Sequence, residues 1–118
     1  MTLTDIIQVV RKLVNDDSAD ANAQRLDDAD YTILISDGMR YIFTNHPESR
    51  VQAAGGTLLP FVAPDPNNPM TTLPLSDVYF TALTLYVAFK YYSEEGGDAR
   101  DNKRAAEYWK QFEATFEP

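Results

Sequence analysis

Apolar residues recur at three- and four-residue spacing in four stretches of the chain, which predicts four amphipathic helices. These helices are expected at about residues 3–15, 28–45, 77–95 and 100–116. Thr2 and Asp5 resemble a capping box at the start of the first helix. His46-Pro47 ends the second helix, because the residue before a proline is disfavoured in the helical region. Gly96-Gly97 separates the third helix from the fourth.

The middle of the chain has a different pattern and holds six of the seven prolines. Arg50–Ala54 and Thr57–Val62 flank Gly55-Gly56, which predicts a short hairpin with a two-residue turn. The residues that follow, Ala63–Thr72, predict a proline-stiffened loop. The expected fold class is therefore mainly α, in one domain over residues 1–118. It is a small four-helix bundle with a β-hairpin and long proline-rich loop, at about residues 49–74, inserted between helices 2 and 3.

The third predicted helix is apolar around most of its circumference. From Val78 to Tyr92 only Thr81, Thr84 and Lys90 interrupt the apolar residues. A helix of this kind is buried on more than one side. Either it is the central helix of the bundle and is covered by its own chain, or another subunit covers part of it. The chain has 7 Tyr, 6 Phe and 1 Trp, and ten of these lie between Tyr79 and Phe116. Aromatic residues are favoured at protein interfaces.

Composition narrows the class of protein further. The 118 residues are 44% hydrophobic, which supports a packed core, and they include no cysteine. The net charge of −8 argues against a surface that wraps around nucleic acid. The start of the chain has no secretory pattern. The longest apolar stretch is shorter than the ~20 residues that a membrane span needs, so we expect no membrane partner.

One stretch resembles a calcium loop. Asp16, Ser18, Asp20 and Asn22 alternate as calcium ligands do, and Asp27 holds the twelfth position. However, Ala21 stands where such a loop needs glycine, so a solvated acidic loop with helix caps is the favoured interpretation. His46 is the single histidine, and there is no glycine-rich phosphate loop. We therefore expect no catalytic residue, no cofactor, no metal and no enzymatic activity.

Several segments resemble, in order and spacing, the helical head-to-tail adaptor (connector) proteins of tailed bacteriophages. The opening Thr2-Leu3-Thr4-Asp5-Ile6-Ile7 is similar to the start of that family. The later segments are Ser36-Asp37-Gly38-Met39-Arg40-Tyr41-Ile42, Gly56-Thr57-Leu58-Leu59-Pro60, Leu73-Pro74-Leu75-Ser76-Asp77-Val78-Tyr79, Ala82-Leu83, Tyr86-Val87, Tyr91-Tyr92-Ser93-Glu94-Glu95, Ala105-Ala106-Glu107-Tyr108-Trp109 and Phe112. The chain departs from the family in lacking a tryptophan before the second helix.

The resemblance implies a structural virion protein. Proteins of this family form a ring, usually of twelve copies, that docks beneath the portal after genome packaging. The ring extends the channel through which genomic DNA passes without sequence recognition, and it is the platform for tail nozzle or tail tube proteins. The protein would be in the host cytoplasm before assembly and at the head-to-tail interface of the virion afterwards.

The same resemblance implies where contacts would form. The Ser76–Glu95 helix would supply core and lateral contacts, and the Arg50–Val62 hairpin with the Ala63–Thr72 loop would reach a neighbour or the tail. The segment Phe112–Pro118 would approach the portal. The residues expected at subunit, portal or tail interfaces are Phe61, Pro64, Tyr79, Phe80, Tyr86, Phe89, Tyr92, Phe112 and Phe116.

The net charge leaves a second hypothesis open, an acidic binding or inhibitor module that mimics DNA and acts on a host nucleic-acid protein. Such a mimic needs carboxylates in paired rows at roughly the phosphate spacing of a duplex. Eight of the 18 acidic residues lie in residues 5–37, without an evident row, and the others are mixed with basic residues.

Overall fold

The structure is a computed structural model that describes residues 1–17, 24–46, 49, 61–95 and 99–116. The described part is mainly helical, as the apolar pattern predicts. Its elements are α1 (Leu3–Leu13), α2 (Asp28–Asn45), a short 3-10 turn (Asp77–Tyr79), α3 (Phe80–Glu95) and α4 (Ala99–Ala114).

Helix ends follow from local hydrogen bonds. The Thr2 hydroxyl accepts from the Asp5 amide and the Asp5 carboxylate accepts from the Thr2 amide, which confirms the predicted capping box. Asp27 and Asp30 form the same arrangement at the start of α2. α1 ends two residues earlier than predicted because Asn15 adopts a left-handed conformation, with a φ of 58°.

α3 is the central helix of the bundle. Its residues 82–88 are all buried, because α1, α2 and α4 pack against different sides of it. Within the described residues, the chain therefore covers the apolar circumference of α3 largely by itself. The predicted helix at 77–95 is divided, since its first three residues form the 3-10 turn and the α-helix begins at Phe80.

Gly38 sets how closely α2 and α3 approach. A Cβ atom at this position would lie 2.8 Å from the Cδ1 atoms of both Leu83 and Tyr86, well inside ordinary contact distance. Glycine is disfavoured inside helices by about 1 kcal/mol relative to alanine, so its presence here reflects this close contact. The close approach buries Met39 and Ile42, on the same face of α2, in the shared core.

The segment between α2 and α3 is described from residue 61 onward, so most of the predicted hairpin, Arg50–Val62, lies outside the described residues. Residues 61–76 run without a regular strand across the start of α1. The Thr4 amide donates to the Pro69 carbonyl at 3.1 Å and the Leu73 amide donates to the Met1 carbonyl at 2.9 Å. An isolated antiparallel bridge joins Thr2 to Thr72.

Candidate interaction surface

The residues expected at interfaces lie in several parts of the structure. Five of them belong to the aromatic contact between α3 and α4, where Tyr86, Tyr92 and Phe112 are buried and Phe89 and Phe116 are half-buried. Phe112 is 1% exposed, and its ring centroid lies 5.5 Å from that of Tyr86. These side chains have their partners within the chain, so the apolar character of α3 by itself requires no further subunit. Their assignment to an interface stays a prediction.

The other predicted residues lie nearer the surface. Tyr79 and Phe80, at the start of α3, are half-buried, and Tyr79 stacks on Phe116 at 5.9 Å. Phe61 packs edge-on against Phe43. Pro64 lies apart from both, in a groove of about 200 Å³ between residues 62–74 and the start of α1.

Several large apolar side chains are exposed and are further candidates for contact with a partner. The sequence pattern did not single them out. Val78 is 83% exposed and Ile33 is 62% exposed, while Val62 and Met70 are also well exposed. Ile33 lies on the outer face of α2, away from the stripe that faces the core. Its position off that stripe could have identified it from the sequence, because a large aliphatic residue gains little there from folding.

A groove of about 360 Å³ opens between the second half of α2 and α3, and we call it the α2–α3 groove. Its lining includes Asp37, Arg40, Tyr41, Thr44, Tyr86 and Lys90. The Arg40 guanidinium carbon lies 4.2 Å from the centre of the Phe61 ring. The Lys90 ammonium lies 6.0 Å from the Tyr86 ring centre and 5.9 Å from the Phe89 ring centre. Two cations and the Asp37 carboxylate therefore share one open, shallow surface.

A buried polar group, which we call the Asp16 cluster, joins the end of α1 to the start of α2. Asp16 is 3% exposed and accepts from the Tyr31 hydroxyl at 2.7 Å and from the backbone amides of Arg25 and Leu26 at 2.6 and 3.2 Å. Arg11 donates to the Asp16 backbone carbonyl at 3.0 Å, and its guanidinium lies 3.4 Å from the Asp16 carboxylate. A second ion pair, at 2.9 Å, links Arg11 to the exposed Asp28.

This cluster changes the interpretation of the calcium-like pattern. Both carboxylate oxygens of Asp16, the first ligand of that pattern, already accept protein donors, and one of those donors is a cation. Asp27, at the twelfth position, caps α2. Ser18, Asp20 and Asn22 lie outside the described residues. Within the described part of the chain, no group of three His, Cys, Asp or Glu residues is placed to hold a metal ion.

Burial shifts several tyrosine pKa values. Burial raises the pKa of Tyr31 well above its ordinary value, and its hydrogen bond to Asp16 acts in the same direction. Burial likewise raises the pKa values of Tyr91 and Tyr108. The pKa of Asp65 is lowered, because its carboxylate accepts from the Asn67 amide and the Asn68 side chain. These raised pKa values keep the three phenols protonated at a pH where an ordinary tyrosine begins to ionise.

No family model, curated protein or solved structure matches the chain. Among the helices of the described residues, none combines the length and apolar character that a membrane span requires.

Proposed function

We propose that the protein is a structural component of a tailed-phage virion, a head-to-tail adaptor that forms a ring on the portal. In this proposal the ring extends the DNA channel and provides the platform for tail attachment. The basis is the order and spacing of the motifs that resemble the adaptor family. The arrangement of those motifs within one core is the observation that carries the proposal furthest.

Residues from these motifs pack against one another where the elements of the bundle come into contact. Gly38, in the Ser-Asp-Gly motif, lies directly against Leu83 of α3. Leu73 and Leu75, in the Leu-Pro-Leu motif, are buried in the same core. Phe112, from the last motif, packs against Tyr86 at 5.5 Å between ring centroids. Segments that resemble the family in sequence are therefore packed into one core.

The charge of the chain also suits this role. In this proposal, the net charge of −8 suits a channel wall that repels phosphate and does not hold the passing genome. The competing hypothesis of a DNA mimic requires free carboxylates in rows. Asp16 is buried, while Asp5, Asp27 and Asp30 are occupied in helix caps, so this acidic region offers few carboxylates for such a row.

Electron microscopy of the protein mixed with its portal tests the proposal. We expect an added layer of density with twelve-fold symmetry on the portal. The absence of this layer, both on the portal and in purified virions, would overturn the proposal. A competition assay against duplex DNA for a nucleic-acid enzyme separates the alternative, since the adaptor should not displace DNA.

A further inference from the structure

Two helices end at the same place, and neither has a basic residue at its end. α2 ends at Asn45, with His46 as its cap, and α4 ends at Ala114, and the last turn of neither helix contains a lysine or arginine. The two ends meet, because the ring of Phe116, two residues beyond α4, stacks on that of His46 at 3.9 Å between centroids. The C-terminus of a helix carries a partial negative charge, so two such charges lie close together.

An acidic side chain adds to this charge. Glu113 is exposed in the last turn of α4, where a carboxylate is disfavoured, and its backbone carbonyl accepts from the Phe116 amide at 3.2 Å. Its carboxylate forms no ion pair with the described residues. α1 shows the usual arrangement, with Arg11 and Lys12 in its last turn. The meeting point of α2 and α4 therefore departs from the usual electrostatics of helix ends, and such departures are expected at functional sites.

A notch of about 310 Å³ opens where these two helix ends meet the start of α3, and we call it the helix-end notch. The described residues that line it include no lysine or arginine, and they are His46, Val78, Tyr79, Ala82, Thr115 and Phe116. Val78 is 83% exposed, so the notch also has an uncovered apolar side. The neighbouring Asp77 carboxylate already pairs with the Met1 amino group at 2.6 Å. The negative charge at the notch therefore comes from the helix ends and Glu113.

We propose that the helix-end notch binds a basic segment of a partner protein through an arginine side chain. A guanidinium would offset the negative ends of both helices together, and its planar face packs on aromatic rings more readily than an ammonium does. Apolar residues beside the arginine would cover Val78, which gains free energy from burial. The inference is drawn from the charges and rings of one copy, so it does not depend on the adaptor function.

Nuclear magnetic resonance of the full chain tests the inference with a blocked peptide, acetyl-Leu-Arg-Leu-amide. We expect the backbone amide signals of Val78, Tyr79 and Thr115 to shift as peptide is added and then to saturate. The matched control peptide has citrulline in place of arginine, which keeps nearly the same shape and removes the charge. It should bind roughly tenfold more weakly, because hydrogen bonds from a charged donor are stronger than those from a neutral one.

Paired substitutions separate the effect of charge from that of apolar contact. Val78→Lys and Val78→Glu remove the same exposed side chain but bring opposite charges to the notch. The arginine peptide should bind Val78→Glu roughly tenfold more tightly than Val78→Lys. Glu113→Gln should weaken binding severalfold, whereas Glu107→Gln, at an exposed position on another face of α4, should leave it unchanged. Circular dichroism checks that the variants are folded.

Three outcomes would overturn the inference. The absence of signal shifts at the notch up to about 10 mM peptide would exclude even weak binding there. Equal affinity for the arginine and citrulline peptides would show that charge does not drive the contact. Shifts confined to other acidic surfaces, such as the first turn of α2, would show a general attraction of cations to an acidic chain instead of a site at the notch.

Discussion

The α3–α4 contact and the Asp16 cluster hold the molecule together by different means. Between α3 and α4, Tyr86, Phe89, Trp109 and Phe112 pack with ring centroids about 5 to 6 Å apart. At the joint of α1 and α2, a single carboxylate accepts four protein donors. The first contact is spread over many weak interactions, while the second depends on a few directional ones.

This difference predicts how the stability of each region responds to amino-acid substitution. An apolar contact loses stability in proportion to the volume removed and tolerates replacement by another apolar side chain of similar size. A buried ion pair responds to the loss of one partner, because the remaining charge is left without compensation. The two regions can therefore be distinguished by substitution.

The largest effect is expected in the aromatic contact. Phe112→Ala should lower the free energy of unfolding by about 3–5 kcal/mol, because it removes a fully buried ring and leaves a cavity. Denaturant unfolding followed by circular dichroism measures the change. Gln111→Ala, at the exposed neighbouring position, should change stability by less than about 0.5 kcal/mol. Equal effects of the two substitutions would contradict the packing described for α4.

Removal of the buried Asp16 carboxylate should cause the second-largest loss of stability. Asp16→Ala leaves the buried Arg11 guanidinium without its buried partner and the amides of Arg25 and Leu26 without an acceptor. We expect a loss of about 3 kcal/mol. The exposed neighbour Asp17 provides a matched control, and Asp17→Ala should cost less than about 0.5 kcal/mol. If Asp16→Ala were equally mild, the cluster would not hold the joint.

The smallest effect concerns the Tyr31 hydroxyl. Tyr31→Phe removes one donor to Asp16 and should cost about 1–2 kcal/mol at neutral pH. In the native chain, the raised pKa of Tyr31 means that the folded state keeps the phenol protonated where the unfolded chain ionises. Its contribution is therefore fully present below pH ~10 and is lost as the pH rises further.

Unfolding measured between neutral and alkaline pH tests this. The native chain should lose stability above pH ~10, and Tyr31→Phe should show a shallower loss. Part of the slope should remain, because the pKa values of Tyr91 and Tyr108 are raised in the same direction. An unchanged slope in Tyr31→Phe would show that Tyr31 is not the main group responsible.

The apolar pattern predicted the mainly helical fold of the described residues and most helix boundaries. The bounds of α2 agree because its start has a capping carboxylate and His46-Pro47 limits its end. The end of α1 was missed because it depends on the backbone conformation of Asn15, a residue type that adopts either hand. Periodicity also could not show whether α3 is covered by its own chain or by a second subunit, since both arrangements bury the same residues.

The sequence did not reveal the Asp16 cluster, because its partners Arg11, Tyr31 and Leu26 are close only in the folded chain. From the sequence alone, Asp16 looks like one of several acidic residues in a polar loop. The α2–α3 groove was likewise not visible in the sequence. Arg40 and Lys90 are fifty positions apart, and only the packing of α2 on α3 brings them to one surface.

The central position of α3 has a consequence for synthesis of the protein on the ribosome. α1 and α2 are made first, but the helix that their apolar faces cover begins only at Phe80. The bridge between Thr2 and Thr72 likewise cannot form until Thr72 has been synthesised. The first two helices therefore emerge with apolar surface uncovered, and the bundle can assemble only after most of the chain has left the exit tunnel. During that interval the emerging chain is open to chaperones and to association with other unfinished copies.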